Sequence, residues 1–294
     1  MIPIPSGAAG PRRSVGVMPE PDPPALTPEQ KAERAGSFGA AAAQYERYRP
    51  GPPVAAVDWV LPTPVHTVVD LGAGTGALTR LLVGRADEVV AVEPDDRMRA
   101  TLIESVPGVR AVAGRGESIP LPDASVDAVL ASSSWHWMDP VPTLLEVGRV
   151  LLPGGTLAAM WSGPDPDTGL IAQARSLLSG DGGAGTVGID GDSQAELSAA
   201  LGDRNALAQA LQIPPGVPFD QPEETVITWE VALNADELIG LLGTFSWVIL
   251  MEDAARERLL ETARSVLRDA LGVSGDVTVD IGYRAEVFKA RRHG

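Results

Sequence analysis

The chain has 294 residues, 39 acidic against 23 basic for a net charge of −16, and no cysteine. Such a length buries a large core, one domain with appendages, while the acidity argues against broad nucleic-acid binding or docking on anionic membranes, which need a surplus of Lys and Arg. The missing cysteine excludes disulfides and cysteine-ligated metal and agrees with a reducing cytoplasm, and no uninterrupted apolar run reaches the roughly 18 residues of a membrane span.

In chain order, residues 1–28 are proline-rich without periodicity and read as a disordered tail. Thr27 and Pro28 then form a helix start. The helical stretch that follows carries Phe38, Tyr45, Tyr48 and Arg49, within an N-terminal segment taken as 29–60. Strands and helices alternate from about 65 to 161, which predicts a parallel sheet with helices on both faces. Residues 163–218 break that rhythm with two glycine-aspartate stretches between a helix over 170–178 and another over 195–211, an insertion after strand five. The closing third predicts a strand over 225–231, helices over 236–251 and 254–271, and a final strand over 277–290.

The most informative stretch is Val68-Val69-Asp70-Leu71-Gly72-Ala73-Gly74-Thr75-Gly76. An apolar strand ends in a carboxylate and enters a turn of alternating glycines ahead of a helical pattern (Ala77, Leu78, Leu81, Leu82). Glycine suits a left-handed turn and close approach of a ligand to the main chain, and the helix start points N–H groups at the same place. Dinucleotide dehydrogenases use G-x-G-x-x-G; here the spacing is G-x-G-x-G.

That variant resembles motif I of the class I S-adenosylmethionine-dependent methyltransferases. Four further stretches carry the resemblance in order: Val89 to Asp95 is similar to the second strand and its acid, Gly114 to Asp123 to the loop after strand three, Val126 to Ala131 with Trp135-His136-Trp137 to strand four and its loop, and Leu151 to Leu157 to the turn into strand five. The resemblance implies an α/β, Rossmann-like, seven-stranded and mostly parallel sheet with an antiparallel last strand, helices on both faces, a helical cap at 29–60 and a lid-like insertion at 163–218. The whole of 29–294 is then one methyltransferase domain. Within the family the chain looks like the small-molecule branch that includes trans-aconitate and ubiquinone/menaquinone methyltransferases.

The same resemblance implies S-adenosylmethionine as cofactor. Asp70 would face its amino-acid tail, with Gly72, Ala73, Gly74 and Gly76 making room. Glu93 ends its strand about twenty residues later, the spacing at which an acid reaches ribose hydroxyls. Pro94, Met98, Gly116, Glu117 and Ser133 complete the set, Met98 against the adenine face and Gly116-Glu117 beside the ring. Here Arg115-Gly116 stands where an Asp-Ala pair is commoner, which bears on the Glu117 side chain more than on the backbone. Asp95 and Asp96 read as helix caps.

His136 is the histidine placed for proton removal from an acceptor, or else a pocket wall. Tyr45, Tyr48, Arg49 and Trp135 are expected near the substrate pocket. Three scattered histidines and no cysteine offer no metal-ligand spacing. Methyl transfer from a sulfonium is an in-line displacement that depends on alignment, so neither triad nor metal is required. The reading is therefore transfer to a small or medium-sized molecule, acceptor first oxygen. The rivals are a non-catalytic binder of S-adenosylmethionine or S-adenosylhomocysteine and a protein methyltransferase. Oligomeric state is not encoded in any motif.

Overall fold

The computed structural model describes residues 48, 50–179, 210–244, 246–249 and 251–294. The tail at 1–28, most of the cap before residue 50, including Tyr45 and Arg49, and the middle of the insertion lie outside the described residues.

Helix α1 (Val54–Val60) leads into β1 (Thr67–Leu71), α2 (Ala77–Leu82), β2 (Glu88–Val92), α3 (Asp96–Ser105), β3 (Arg110–Val112) and β4 (Val126–Ser132). A 3₁₀ turn at Trp135–Trp137 precedes α4 (Pro140–Val150), β5 (Leu151–Pro164) and α5 (Gly169–Ser179). The chain closes with β6 (Glu223–Leu233), α6 (Ala235–Leu242), α7 (Ser246–Ile249), α8 (Asp253–Ser265) and β7 (Val279–Arg291). The strands form one seven-stranded sheet in the order β3-β2-β1-β4-β5-β7-β6. β7 runs antiparallel to both neighbours, and β1–β5 pair in parallel. This is the architecture the sequence predicted.

Burial on both faces explains why these strands are continuous apolar runs. Along β1, Val68 enters a cluster with Val57, Val60, Leu78 and Leu82 on one side, and Val69 and Leu71 enter a cluster with Leu144, Val147 and Val150 on the other. Each fully buried Val or Leu contributes about 1.5–3 kcal/mol. The alternation places Asp70 on the α1–α2 side, beneath α2.

The closing third departs from the predicted elements. The single helix expected over 236–251 is broken: α6 stops at Gly243, and Thr244 Oγ1 donates to Leu241 O at 2.6 Å, capturing a carbonyl that a continuing helix would use. The helix expected over 254–271 ends as α8 at Ser265 and widens into a π turn at Val266–Ala270. That turn lets Val266 and Leu267 join a cluster with Ile239, Leu242, Val248 and Leu259. The insertion is also not uniform. Its return segment puts Leu211, Ile213, Val217 and Phe219 into the main core, with Pro218 against Gly148 of α4. Similarly α1, at the end of the cap segment, is a core helix: Ala56, Val57 and Val60 are buried on the sheet.

Candidate active site

The strand order reverses between β1 and β4, and the carboxyl ends of these strands open a crevice there, where open α/β sheets place ligands. After Leu71 the chain turns with Gly72, Gly74 and Gly76 all at positive φ (70, 56 and 94°). Their reasons differ. A Cβ on Gly72 would lie 2.6 Å from Ser134 Cβ, and one on Gly76 3.1 Å from Leu102 and Val106 side chains. Gly74 faces open space, its nearest neighbour being Met98 Sδ at 3.9 Å. The sequence expected all three glycines to make room for a ligand; at Gly74 the space is open, while at Gly72 and Gly76 the protein's own side chains fill it. Ala73 is buried, its N–H bonded to Val92 O at 3.1 Å.

Glu93, at the tip of β2, is buried, and its carboxylate closes the turn. Oε2 accepts from Gly74 N at 2.8 Å and Oε1 from Asp95 N at 2.9 Å. A carboxylate has about four lone-pair sites, so each oxygen keeps one for a further donor. Burial raises the Glu93 pKa. Arg99 donates to Glu93 O at 2.8 Å and steadies the strand end. Asp95 caps α3 by accepting from Arg97 N and Met98 N, as expected, which turns Met98 toward Gly74. Asp96 serves otherwise, in an ion pair with Arg99, and Pro94 is exposed on the rim.

Asp70 is 1% exposed and its Oδ2 accepts from Thr79 Oγ1 of α2 at 2.6 Å. Burial, with the nearby Glu93 charge adding to it, pushes the Asp70 pKa up to about 7 against the lowering effect of the Thr79 bond. The crevice thus holds two buried carboxylates on adjacent strands, an arrangement that calls for positive charge or hydroxyl donors from a ligand.

On the other side, Gly116 is buried against Met138 and Thr143, and Glu117 Oε1 accepts from Asp139 N at 2.7 Å, at the start of α4. The Glu117 side chain is therefore engaged with the protein, and the Arg115 backbone pairs with Ser118 in both directions. The loop is fixed by a cluster that sequence reading missed. Arg149 donates to Ile119 O, Leu121 O, Asp123 Oδ1 and Glu146, while Glu146 Oε1 accepts from Ile119 N at 2.8 Å. Only the spacing of Glu146 and Arg149 on one helix face hinted at it.

Beyond β4, Ser133 stands at φ 52° with its N–H on Met160 O, and Ser134 Oγ donates to Leu71 O at 2.7 Å. The two tryptophans of the turn differ in burial. Trp135 is 5% exposed and belongs to the main core, whereas Trp137 is half-buried and its ring lies 4.6 Å from that of His136. Trp135 packs inward because the 3₁₀ turn directs it beneath the sheet edge with Met138. His136 Nδ1 accepts from Trp161 Nε1 at 3.2 Å, a partner on β5 that the sequence did not reveal. Tyr48 packs on α6: a Cβ on Gly240 would meet its ring at 2.5 Å.

A groove of about 420 Å³ at the opposite, amino-terminal edge of the sheet is lined by Asp58, Pro62, Pro64 and Arg85 among others and touches none of these residues. No helix among the described residues is long and apolar enough to cross a membrane, and no cluster of three potential metal ligands occurs among them.

A methyltransferase-domain family model matches residues 69–159, the span from β1 to β5. An uncharacterized methyltransferase of Mycobacterium tuberculosis is 37% identical over 231 residues, 79% of this chain and 85% of that protein. The chain belongs to the class I S-adenosylmethionine-dependent methyltransferases. A malonyl-[acyl-carrier protein] O-methyltransferase of Methylococcus capsulatus is 35% identical over 154 residues, 48% of this chain and 56% of that one. The solved structure of a protein from Anaeromyxobacter dehalogenans, assigned as a type II methyltransferase, has the same fold, with a TM-score of 0.58, 24% identity and coverage of 83% and 98% of the two chains. The crevice of this methyltransferase fits the cofactor that the family implies. An open glycine, a backbone-held carboxylate with spare lone pairs and a second buried carboxylate match a nucleoside with ribose hydroxyls and an ammonium-bearing tail.

Proposed function

We propose that this enzyme transfers a methyl group to an oxygen of a small or medium-sized molecule, in the branch that resembles the trans-aconitate and ubiquinone/menaquinone methyltransferases. The observation that carries the reading is Glu93, bonded to Gly74 N and Asp95 N beside the one open glycine of the turn. Glu93 would hold the ribose hydroxyls, and Asp70 the ammonium of the tail. Gly72, Ala73, Gly74 and Gly76 would form the cradle, and Pro94, Met98, Gly116, Glu117 and Ser133 the walls around the adenosine. Bound S-adenosylmethionine supplies an activated methyl on a sulfonium. The protein's part is alignment and exclusion of water.

His136 would face the acceptor, with Tyr45, Tyr48 and Arg49 of the cap and the 163–218 insertion shaping the pocket. Trp135 would support that pocket from the core. Similarity to an O-methyltransferase over 154 residues supports oxygen as the acceptor atom. The absence of cysteine supports a cytoplasmic setting. The test is calorimetric titration with S-adenosylmethionine, followed by a substrate panel with labelled methyl donor. One saturable site weakened by Glu93→Ala is expected, by about 1–3 kcal/mol for buried hydroxyls left unpaired; undiminished affinity would remove the anchor.

A further inference from the structure

Thr79 stands where a helix has little use for it. It is the third residue of α2 and fully buried, and a β-branched side chain suits a short helix less well than alanine would. A helical threonine often turns its hydroxyl to the carbonyl one turn back, here Thr75 O, which already accepts from Ser105 Oγ at 3.0 Å. The Thr79 hydroxyl donates instead to Asp70 Oδ2 at 2.6 Å and so closes the glycine turn from Gly72 to Gly76 at its base.

What surrounds Asp70 otherwise works against its charge. Burial disfavours the carboxylate most, and Glu93 on β2 adds repulsion. Its strand neighbours Ala91 and Leu130 are apolar, and Asp58 and Arg80, the charged residues of α1 and α2, are both exposed. The groups that favour the charged form are the Thr79 hydroxyl and, to a smaller extent, the Thr79 backbone. A hydroxyl can also accept from a protonated acid, but that neutral bond is only about half as strong as the charge-assisted one.

We propose that Thr79 is a positioning residue for the cofactor, its hydroxyl keeping the Asp70 carboxylate charged and in place for the ammonium of the amino-acid tail. This rests on the assignment of that tail to Asp70 and goes beyond it by naming the group that makes the carboxylate usable at neutral pH.

The ¹³C signal of the Asp70 carboxyl, assigned with Asp70→Asn, reads its titration in the ligand-free protein. The wild type is expected to titrate near 7, Thr79→Val about one to two pH units higher, and Thr79→Ser as the wild type does. Thr79→Ala carries the comparison where the valine variant does not fold. An unmoved titration overturns the proposal alone. Calorimetry at pH 7 then compares S-adenosylhomocysteine, which has the tail, with adenosine, which lacks it. Thr79→Val should bind the first about tenfold more weakly and the second as the wild type does, with Thr79→Ser restoring affinity. An equal loss for both ligands would make Thr79 a mere support of the turn and overturn the proposal. A wild type that binds the two ligands equally strikes the Asp70 reading beneath it and overturns both.

Discussion

In the half of the sheet built from β1–β4, the functional side chains are tied to backbone within a few residues of the strand ends. Glu93 grips Gly74 and Asp95, Ser134 grips Leu71, and Glu117 grips Asp139. In the half built from β5–β7 the corresponding contacts reach across elements: Trp161 to His136, Tyr48 onto Gly240 of α6, and Leu211 and Phe219 returning onto α4. The first half presents strand ends and turns held by side-chain bonds to the backbone. The second presents surfaces whose shape depends on how distant segments pack. On the proposed reading the first is the cofactor half and the second the acceptor half.

Substitutions can break this contrast. The largest effect is expected at Asp70→Asn, which keeps the shape and an acceptor for Thr79. Cofactor affinity should fall at least about a hundredfold if Asp70 holds the ammonium as proposed, since its charge is then lost. Stability should move the other way. The folded-state pKa of Asp70 is about 7 against an ordinary 3.8, so the unfolded state ionises first as pH rises. The wild type therefore loses stability between about pH 4 and 7, and the full deficit, about 4 kcal/mol, stands above 7. Urea unfolding of the ligand-free protein at about pH 5 and pH 8 checks this, with the variant gaining mainly at the higher pH.

Gly72→Ala comes next. A Cβ there meets Ser134 Cβ at 2.6 Å at a φ of 70°, and a stability loss of about 3 kcal/mol is expected in thermal unfolding. Gly74→Ala, facing open space, should cost about 1 kcal/mol in stability while lowering cofactor affinity. Equal effects from the two would erase the distinction between a packed and an open glycine.

Gly240→Ala displaces the Tyr48 ring in the acceptor half. A loss of about 1–2 kcal/mol is expected, with the acceptor KM raised and the cofactor Kd unchanged; a weakened cofactor Kd would show the halves to be coupled. The smallest effect belongs to Asp58→Ala, which removes the surface pair with Arg85 at 3.1 Å. Denaturation should move by no more than about 0.5 kcal/mol.

The cofactor half was legible in the sequence because its residues fall in short contiguous runs at successive strand ends. Strand, carboxylate and glycine turn follow one another from Val68 to Gly76, and Asp95 sits beside the backbone it caps, although the Glu93 bond to Gly74 crosses from one strand end to the next. Roles within it were less legible: Gly72 and Gly74 look alike in a motif, and only the position of Ser134, sixty residues on, separates them. The acceptor half hides its determinants for the same reason on a larger scale. Nothing near Thr244 announces that its hydroxyl ends α6, and helical periodicity over 254–271 does not distinguish a straight helix from one that widens at Val266. Trp135 and Trp137 are two residues apart in an aromatic run, and the turn geometry, not composition, decides which of them enters the core.

The most direct test is a crystal structure grown with S-adenosylhomocysteine. The account predicts a nucleoside lying over Gly74 with its ribose hydroxyls on Glu93 and its ammonium toward Asp70. A ligand bound elsewhere, or a crevice closed by Met98 and Glu93 themselves, would contradict it.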